Sequence, residues 1–423
     1  MNAPYPTYLT RRQELLLALA TAVVTANAYY IHPIIGEVAD HFGVSNGEIG
    51  IVPALNQLAL AVGILLLLPL GDIYSNRRLS IIFTACQCAG LLVMTVAPTL
   101  LIFTAGSTWL GFFTIAPYLL PAYASKRVAP ERLGHVTATL TAGVVGGLLV
   151  ARVGSGVIAD ITDWHTVYWA ASAVMIAMTL ALPRIMPAND PANPASGGPA
   201  VSTSYLSLLG SVFALMRSHR EILVSGAIQG IGFGQFIALW LGLALHLTSP
   251  EMGYGTDVVG YLAGFAAVSV LTTPRLGRMA DRIGPRRARF YLGCVQVAGT
   301  LLFLPFGSNL WLLMIPIFIT TTVGPAIDVS SRMTFLSEDP SLRTRLTTIY
   351  IVMMFIGGGI GSSAGTLLYD QMGWDGTAIA LAVSCVVLTA LAGLAWRIWG
   401  AYAQSRNDFA TRPSSTGKEL PQG

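Results

Sequence analysis

Charge is what this sequence has least of. Only 10% of its 423 residues are Asp, Glu, Lys or Arg, against 54% hydrophobic. Soluble domains are about a quarter charged, and a chain this size would need far more polar residues to cover a water-exposed surface. The class that remains is an integral membrane protein. Cysteine is scarce too: Cys86, Cys88, Cys294 and Cys385 all lie inside apolar runs. Two residues apart on a helix, Cys86 and Cys88 point to different faces. The thiols read as small buried hydrophobes, not as a disulfide or a metal site. Six scattered histidines form no metal constellation. The chain has no Walker loop, dinucleotide fingerprint, EF-hand or catalytic triad. Nor does it have the basic patch interleaved with aromatics that single-stranded nucleic acid needs. No enzyme activity, cofactor, metal or nucleic-acid partner is expected.

What is present is a series of long apolar runs. A spanning helix needs about 20 mostly apolar residues. Twelve candidates are centred near Val24, Leu60, Gly90, Ile115, Gly147, Met175, Gly234, Val268, Thr300, Val323, Gly359 and Val387. Arg11 and Arg12 precede the first, but no small-residue cleavage site follows, so it reads as an uncleaved span. Arginine and lysine gather in every second connection: Arg77 and Arg78, then Lys126, Arg127 and Arg132, then Arg184, Arg217 and Arg220. The same holds for the stretch around Asp281, for Arg343 and Arg345, and for Arg397 and Arg406. The alternate connections, "GEVADHFGVSNGE", "DITDW", "SPEMGYGTD" and "YDQMGWD", hold neither. By the positive-inside rule both termini are expected in the cytoplasm, with the chain embedded in the bilayer of the inner, cytoplasmic membrane.

Residues 187–217 begin as a Pro-, Ala-, Gly- and Ser-rich linker and continue as a possible surface-lying amphipathic segment. They divide the chain into a six-helix half over 1–186 and another over 218–400, with a cytoplasmic tail over 401–423. The halves repeat. Asp72 with Arg77 and Arg78 recurs 209 residues later as Asp281 with Arg286 and Arg287. The stripe Ala18, Ala22, Ala26 recurs as Gly226, Gly230, Gly234, and Gly147, Ala151, Ser155 as Gly357, Gly361, Gly365. Small residues every four positions let helix backbones approach closely. They suit static packing and equally suit helices that slide.

The segment "GRMADRIGPRR", Gly277 to Arg287, resembles the loop signature of the major facilitator superfamily: Gly277, Asp281, Arg282, Gly284, Arg286 and Arg287 all match. "PLGDIYSNRRLS" is a weaker copy, with Ile73 and Ser75 in place of the arginine and glycine. The resemblance covers essentially the whole chain. It implies an all-α membrane protein of twelve transmembrane helices in two pseudo-symmetric six-helix bundles, working as a monomer. It also implies that Asp72 and Asp281 latch the arginine-rich side in the outward-facing state.

Ionisable groups at membrane depth point to function. Asp328 lies about 15 Å from the arginine-rich end at 1.5 Å per residue, near the midplane. Arg332 is one turn away on the same face. The pair reads either as a structural ion pair or as a proton-coupling site. Arg152 sits in the outer third of the fifth span. Asn27, Tyr30, Asn56, Gln57, Tyr118, Tyr123, Gln229 and Gln235 are candidate cavity residues, and His32 could titrate near neutral pH. "YYIHPIIGEVADHFGVSNGEIG" followed by "LLLLPLGD" resembles twelve-helix drug:proton efflux permeases of bacteria, although "GVVGGLLVARVGSG" has the glycines of their fifth helix without its proline. The expected function is secondary transport of a small organic molecule, with proton-coupled efflux leading. Proton-coupled uptake of an organic anion, drawn by Arg152 and Arg332, is the alternative. A membrane sensor or embedded enzyme ranks behind both.

Overall fold

Prolines set where the long helices break. A proline ring clashes with the carbonyl four residues earlier and supplies no N–H. Pro33 faces Tyr29 in this way, and α1 (Arg11–Ala26) is separated from α2 (Ile31–Phe42) by a turn over 27–30. Pro117 does the same to Phe113, dividing α7 (Leu100–Phe112) from α8 (Ala116–Ser125). The computed structural model describes residues 9–186, 205–267, 272–336 and 340–410, and every regular element among them is helical.

Between those broken helices lie α3 (Asn46–Ile49), α4 (Ile51–Leu67), α5 (Leu70–Ile73) and α6 (Asn76–Thr95). After them come α9 (Pro130–Ile161), α10 (Trp164–Ile185) and α11 (Tyr205–Ser218). Next are α12 (Arg220–Leu247), α13 (Thr256–Ala267) and α14 (Thr273–Ile283). The remainder are α15 (Pro285–Leu301), α16 (Phe303–Phe306), α17 (Leu310–Leu336) and α18 (Pro340–Ala410). Ten stretches of the described residues are long and apolar enough to cross a membrane. The last, Arg345–Gly400, runs to 56 residues and bends at Gly373, whose φ of 60° and ψ of −149° leave helical space, so it contains two spans. The centre of the expected eighth span, Val268, lies outside the described residues, as do 187–204 of the expected linker and the tail from 411; α13 and α14 flank that centre. The other part of the linker is α11, which buries Val212 and Leu215 and donates the Tyr205 hydroxyl to the Leu66 carbonyl at 2.7 Å.

In the first half α1 packs along α9, α4 on α7, and α6 on α7 and α10. In the second, α12 packs along α18, and α15 on α17 and α18. The halves meet where α13 lies on α9, α18 on α4, and α12 on α2. The hydrogen bonds joining them gather at the arginine-poor end. Thr256 Oγ1 donates to the Gly156 carbonyl at 2.9 Å, and Ser362 Oγ to the Gly50 carbonyl at 3.1 Å.

The small-residue stripes are where backbones touch. A Cβ on Gly147 would strike the Ala22 carbonyl of α1, and one on Gly357 the Gly230 carbonyl of α12. Gly146, one position away, has nothing within 4 Å. Gly146→Ala should leave the unfolding midpoint of the purified protein unchanged or raise it, since alanine is the better helix former by about 1 kcal/mol. Gly147→Ala should lower it by an amount equivalent to about 1–3 kcal/mol, because backbone cannot yield to an added methyl as a side chain can. Equal midpoints for the two variants would show that the stripe is not a packing constraint.

Candidate functional site

A cavity of about 530 Å³ lies between the halves. Its wall is drawn from α4, α8, α9, α12, α13, α15, α16, α17 and α18, together with Thr25, the 27–30 turn and Thr114. Most of the lining is apolar, including Leu148, Phe233, Phe236, Phe355 and Leu388. The cavity therefore presents a greasy volume with few polar points, the usual form of a small-molecule site.

Five of the sequence-selected residues meet on that wall: Tyr118, Arg152, Gln229, Gln235 and Asp328. Gln235 donates to Ser384 Oγ at 3.0 Å and accepts from Gln296 Nε2 at 2.9 Å. The others serve the helix bundle. Asn27 is buried and donates to Met175 Sδ at 3.3 Å. Asn56 donates to the Ser107 carbonyl at 2.8 Å, tying α4 to α7. Gln57 is buried between α4 and α18, beside Gly358. Tyr30 packs against the core, and buried Tyr123 lies beneath the Arg127 guanidinium, 4.1 Å from its ring centroid.

Asp328 and Arg332 form the expected ion pair, with Arg332 Nε 3.0 Å from each carboxylate oxygen. Tyr350, from α18, donates its hydroxyl to Asp328 Oδ1 at 2.6 Å, and its ring lies 4.9 Å from the Arg332 guanidinium carbon. Sequence reasoning missed Tyr350, because the contact joins two helices whose facing only the fold decides. Arg152 is buried, and one of its Nη atoms lies 2.9 Å from His32 Nδ1. Its guanidinium also faces the rings of Phe236, Trp240 and Tyr29. Those three aromatics were missed as well. The available signal was their sequence proximity to two selected residues, Tyr30 and Gln235.

The loop signatures divide in role. Arg286 makes a bidentate pair with Glu221, both bonds 2.7 Å, fastening the start of α15 to the start of α12. Arg77 donates to the carbonyls of Met186 and Pro183 at 2.7 and 3.0 Å, capping the end of α10. Glu14, 207 positions before Glu221, pairs with Arg132 at 2.8 Å. Both glutamates were missed, although each is a lone acid opening an apolar run. Asp281, Arg282, Arg287 and Arg78 are exposed, and Asp281 has no ion pair with a described residue. Arg287 lies 5.5 Å from the Trp396 ring centroid. Gly277 has open space around it, with only Val329 Cγ1 at 3.9 Å, and Gly284 turns the chain between α14 and α15 at φ 89°. Asp72 is exposed, within the field of Lys126 and, from the other half, Arg345.

An all-helical chain long enough to span a membrane many times, with a cavity between its halves, has the form of a polytopic membrane transporter. The profile of the Major Facilitator Superfamily matches residues 17–341 and 227–416, and the chain belongs to that superfamily. It is 28% identical over 373 residues to the uncharacterized transporter YgaY of Escherichia coli O157:H7, spanning 88% of this chain and 92% of that one. It is 27% identical to the probable transporter SCO4007 of Streptomyces coelicolor, spanning 90% and 85%. A crystal structure of a variant of the nucleoside transporter NupG shares the fold, with TM-score 0.71 at 14% identity over 91% of this chain and 99% of that one. The protein is a secondary transporter of the multi-pass membrane class.

Glu221→Ala should lower the unfolding midpoint by the equivalent of about 3 kcal/mol, since it strands Arg286 in a partly buried site. Asp281→Ala should change it by no more than about 0.5 kcal/mol, as for surface positions. A thermal melt showing the reverse order would mean that Asp281, not Glu221, ties this end together.

Proposed function

We propose that this chain moves a small organic molecule across the cytoplasmic membrane by alternating access, coupled to protons through Asp328. On this reading residues 1–186 and 218–400 rock as two bodies about the 187–217 linker. The arginine-rich end and both termini face the cytoplasm, following the charge alternation of the connections. The leading direction is export, on the likeness of its first two spans to efflux permeases.

The observation that carries the reading is the Asp328, Arg332 and Tyr350 cluster, whose Asp328 lies on the cavity wall. A carboxylate at membrane depth is retained where it works or is neutralised. Here its partners come from two helices, α17 and α18. If α18 moves against α17, the Tyr350 bond is lost while the intrahelical Arg332 bond stays. Hydrogen bonds to the charged form favour it, and burial disfavours it. A relative shift of the two helices therefore changes which partners the carboxylate has, which is the kind of change that coupling requires.

The test uses proteoliposomes with entrapped pyranine, a pH gradient and a panel of organic anions, cations and neutral drugs. Compounds that move protons with the wild-type protein are retested as radiolabelled forms. Asp328→Asn should abolish gradient-driven accumulation and keep substrate exchange. Recovery of driven transport in the double variant Asp328→Asn/Arg332→Gln would reduce the cluster to architecture and overturn the coupling role.

A further inference from the structure

Asp328 and Arg152 are the charged residues on the cavity wall, and they are not equivalent. Asp328 has its own cation, bound through both carboxylate oxygens. Arg152 has none: among the described residues no carboxylate comes within 4 Å of it. It is only 2% exposed, and its Nε is buried without a hydrogen-bond partner. A guanidinium has five N–H donors and no acceptor. The atom opposite it, His32 Nδ1, must therefore accept, which assigns a neutral His32 with its proton on Nε2. Three rings surround the cation, with centroids 4.5 Å away for Phe236, 4.6 Å for Trp240 and 5.7 Å for Tyr29. Ring faces attract a cation but do not neutralise it. The cavity thus carries one uncompensated positive charge, in an environment where such a charge is expensive to keep.

We infer that Arg152 and its aromatic surround form the recognition site for the carboxylate of an amphipathic organic monoanion. The planar guanidinium fork matches a carboxylate with two parallel hydrogen bonds. One guanidinium without a carboxylate suits one negative charge, because the second arginine of the region, Arg332, is held by Asp328. The apolar wall and the volume of about 530 Å³ take the organic body. Rings at the fork accommodate an aromatic or branched carbon skeleton beside the carboxylate.

The placement also links binding to the two halves. Arg152 belongs to α9, while Phe236 and Trp240 belong to α12. An anion on the guanidinium draws on a group that contacts both halves, so its arrival is felt by each. Outward movement of an anion also runs with a membrane potential negative inside, in keeping with the proposed export. The inference rests on the transporter reading above but not on its proton step.

The experiment measures equilibrium binding without any gradient, on the full chain in nanodiscs, by titration calorimetry and thermal shift. The probes are benzoate, 4-phenylbutyrate and 2-naphthoate, each beside its neutral carboxamide and its primary-amine analogue, with sodium nitrate as the inorganic anion. The wild-type protein should bind at least one carboxylate about tenfold or more tighter than its amide, the scale of a charge-assisted hydrogen bond. Arg152→Gln should bring carboxylate and amide to equal affinity. Arg152→Lys, which keeps charge and loses the fork, should fall between the two. Gly146→Ala, on the same helix with open space around it and off the cavity wall, should keep the preference for the carboxylate, and Arg152→Lys carries the test if Arg152→Gln folds poorly. The inference is overturned if Arg152→Gln lowers the melting temperature yet keeps the preference, which makes Arg152 only a clamp between the halves. It is overturned equally if no carboxylate is preferred, if the amines bind best, or if nitrate binds as well as the arylcarboxylates. An Asp328→Asn variant that loses driven transport but keeps carboxylate preference leaves this site standing apart from the coupling step. Driven transport by a wild-type protein that shows no preference for carboxylates removes this site and leaves the transporter reading intact.

Discussion

Burying a charge away from water is the constraint on which this structure turns. In hydrocarbon a lone ion has neither hydration nor counterion, and the chain answers by giving its buried charges partners. Glu221 takes Arg286 with two hydrogen bonds, Glu14 takes Arg132, and Asp328 takes Arg332 and the Tyr350 hydroxyl. The first two pairs sit at the arginine-rich ends of the spans and hold helix starts together. In the third, Asp328 lies on the cavity wall. Arg152 stands apart, held by His32 and aromatic rings with no carboxylate. Arg289 is likewise buried with no ion pair among the described residues, donating to Ser225 Oγ, so the proposed role of Arg152 follows from its place on the cavity wall.

The other constraint is backbone proximity. Gly147 against Ala22 and Gly357 against Gly230 bring helix axes so close that an added methyl has nowhere to go. The contacts occur in corresponding places of the two halves, between α1 and α9 and between α12 and α18. Such smooth faces carry no interlocking side chains, so they resist separation while permitting small slides. Proline breaks add a second kind of freedom. The turn before Pro33 takes Tyr29 out of regular helix and onto the cavity wall, beside Arg152.

Much of the architecture was legible in the chain itself. The apolar runs, the alternation of arginine-rich and arginine-poor connections and the repeat near 209 residues all depend on local composition and order, which the bilayer converts directly into spans. The pairing of Asp328 with Arg332 was legible for the same reason, since four residues along a helix is a fixed neighbourhood. Legibility stopped at contacts between helices. Asn56 and Asn27 looked like cavity residues and are interhelix ties, because a polar side chain in a span can face either a cavity or a neighbour, and composition does not say which.

What the sequence determined by itself was the helical, membrane-spanning class of the chain, its internal repeat near 209 residues and the positions of its few charges along the apolar runs. These follow from hydrophobic length and charge placement along one dimension. Only the tertiary structure decided which charges are neutralised. Arg286 meets Glu221 across 65 positions, and Tyr350 meets Asp328 across 22. Arg152 of one half meets Phe236 and Trp240 of the other. A counterion acts over a few ångströms of space, whatever the separation along the chain. The difference between a spent charge and an open one therefore exists only once the helices have packed.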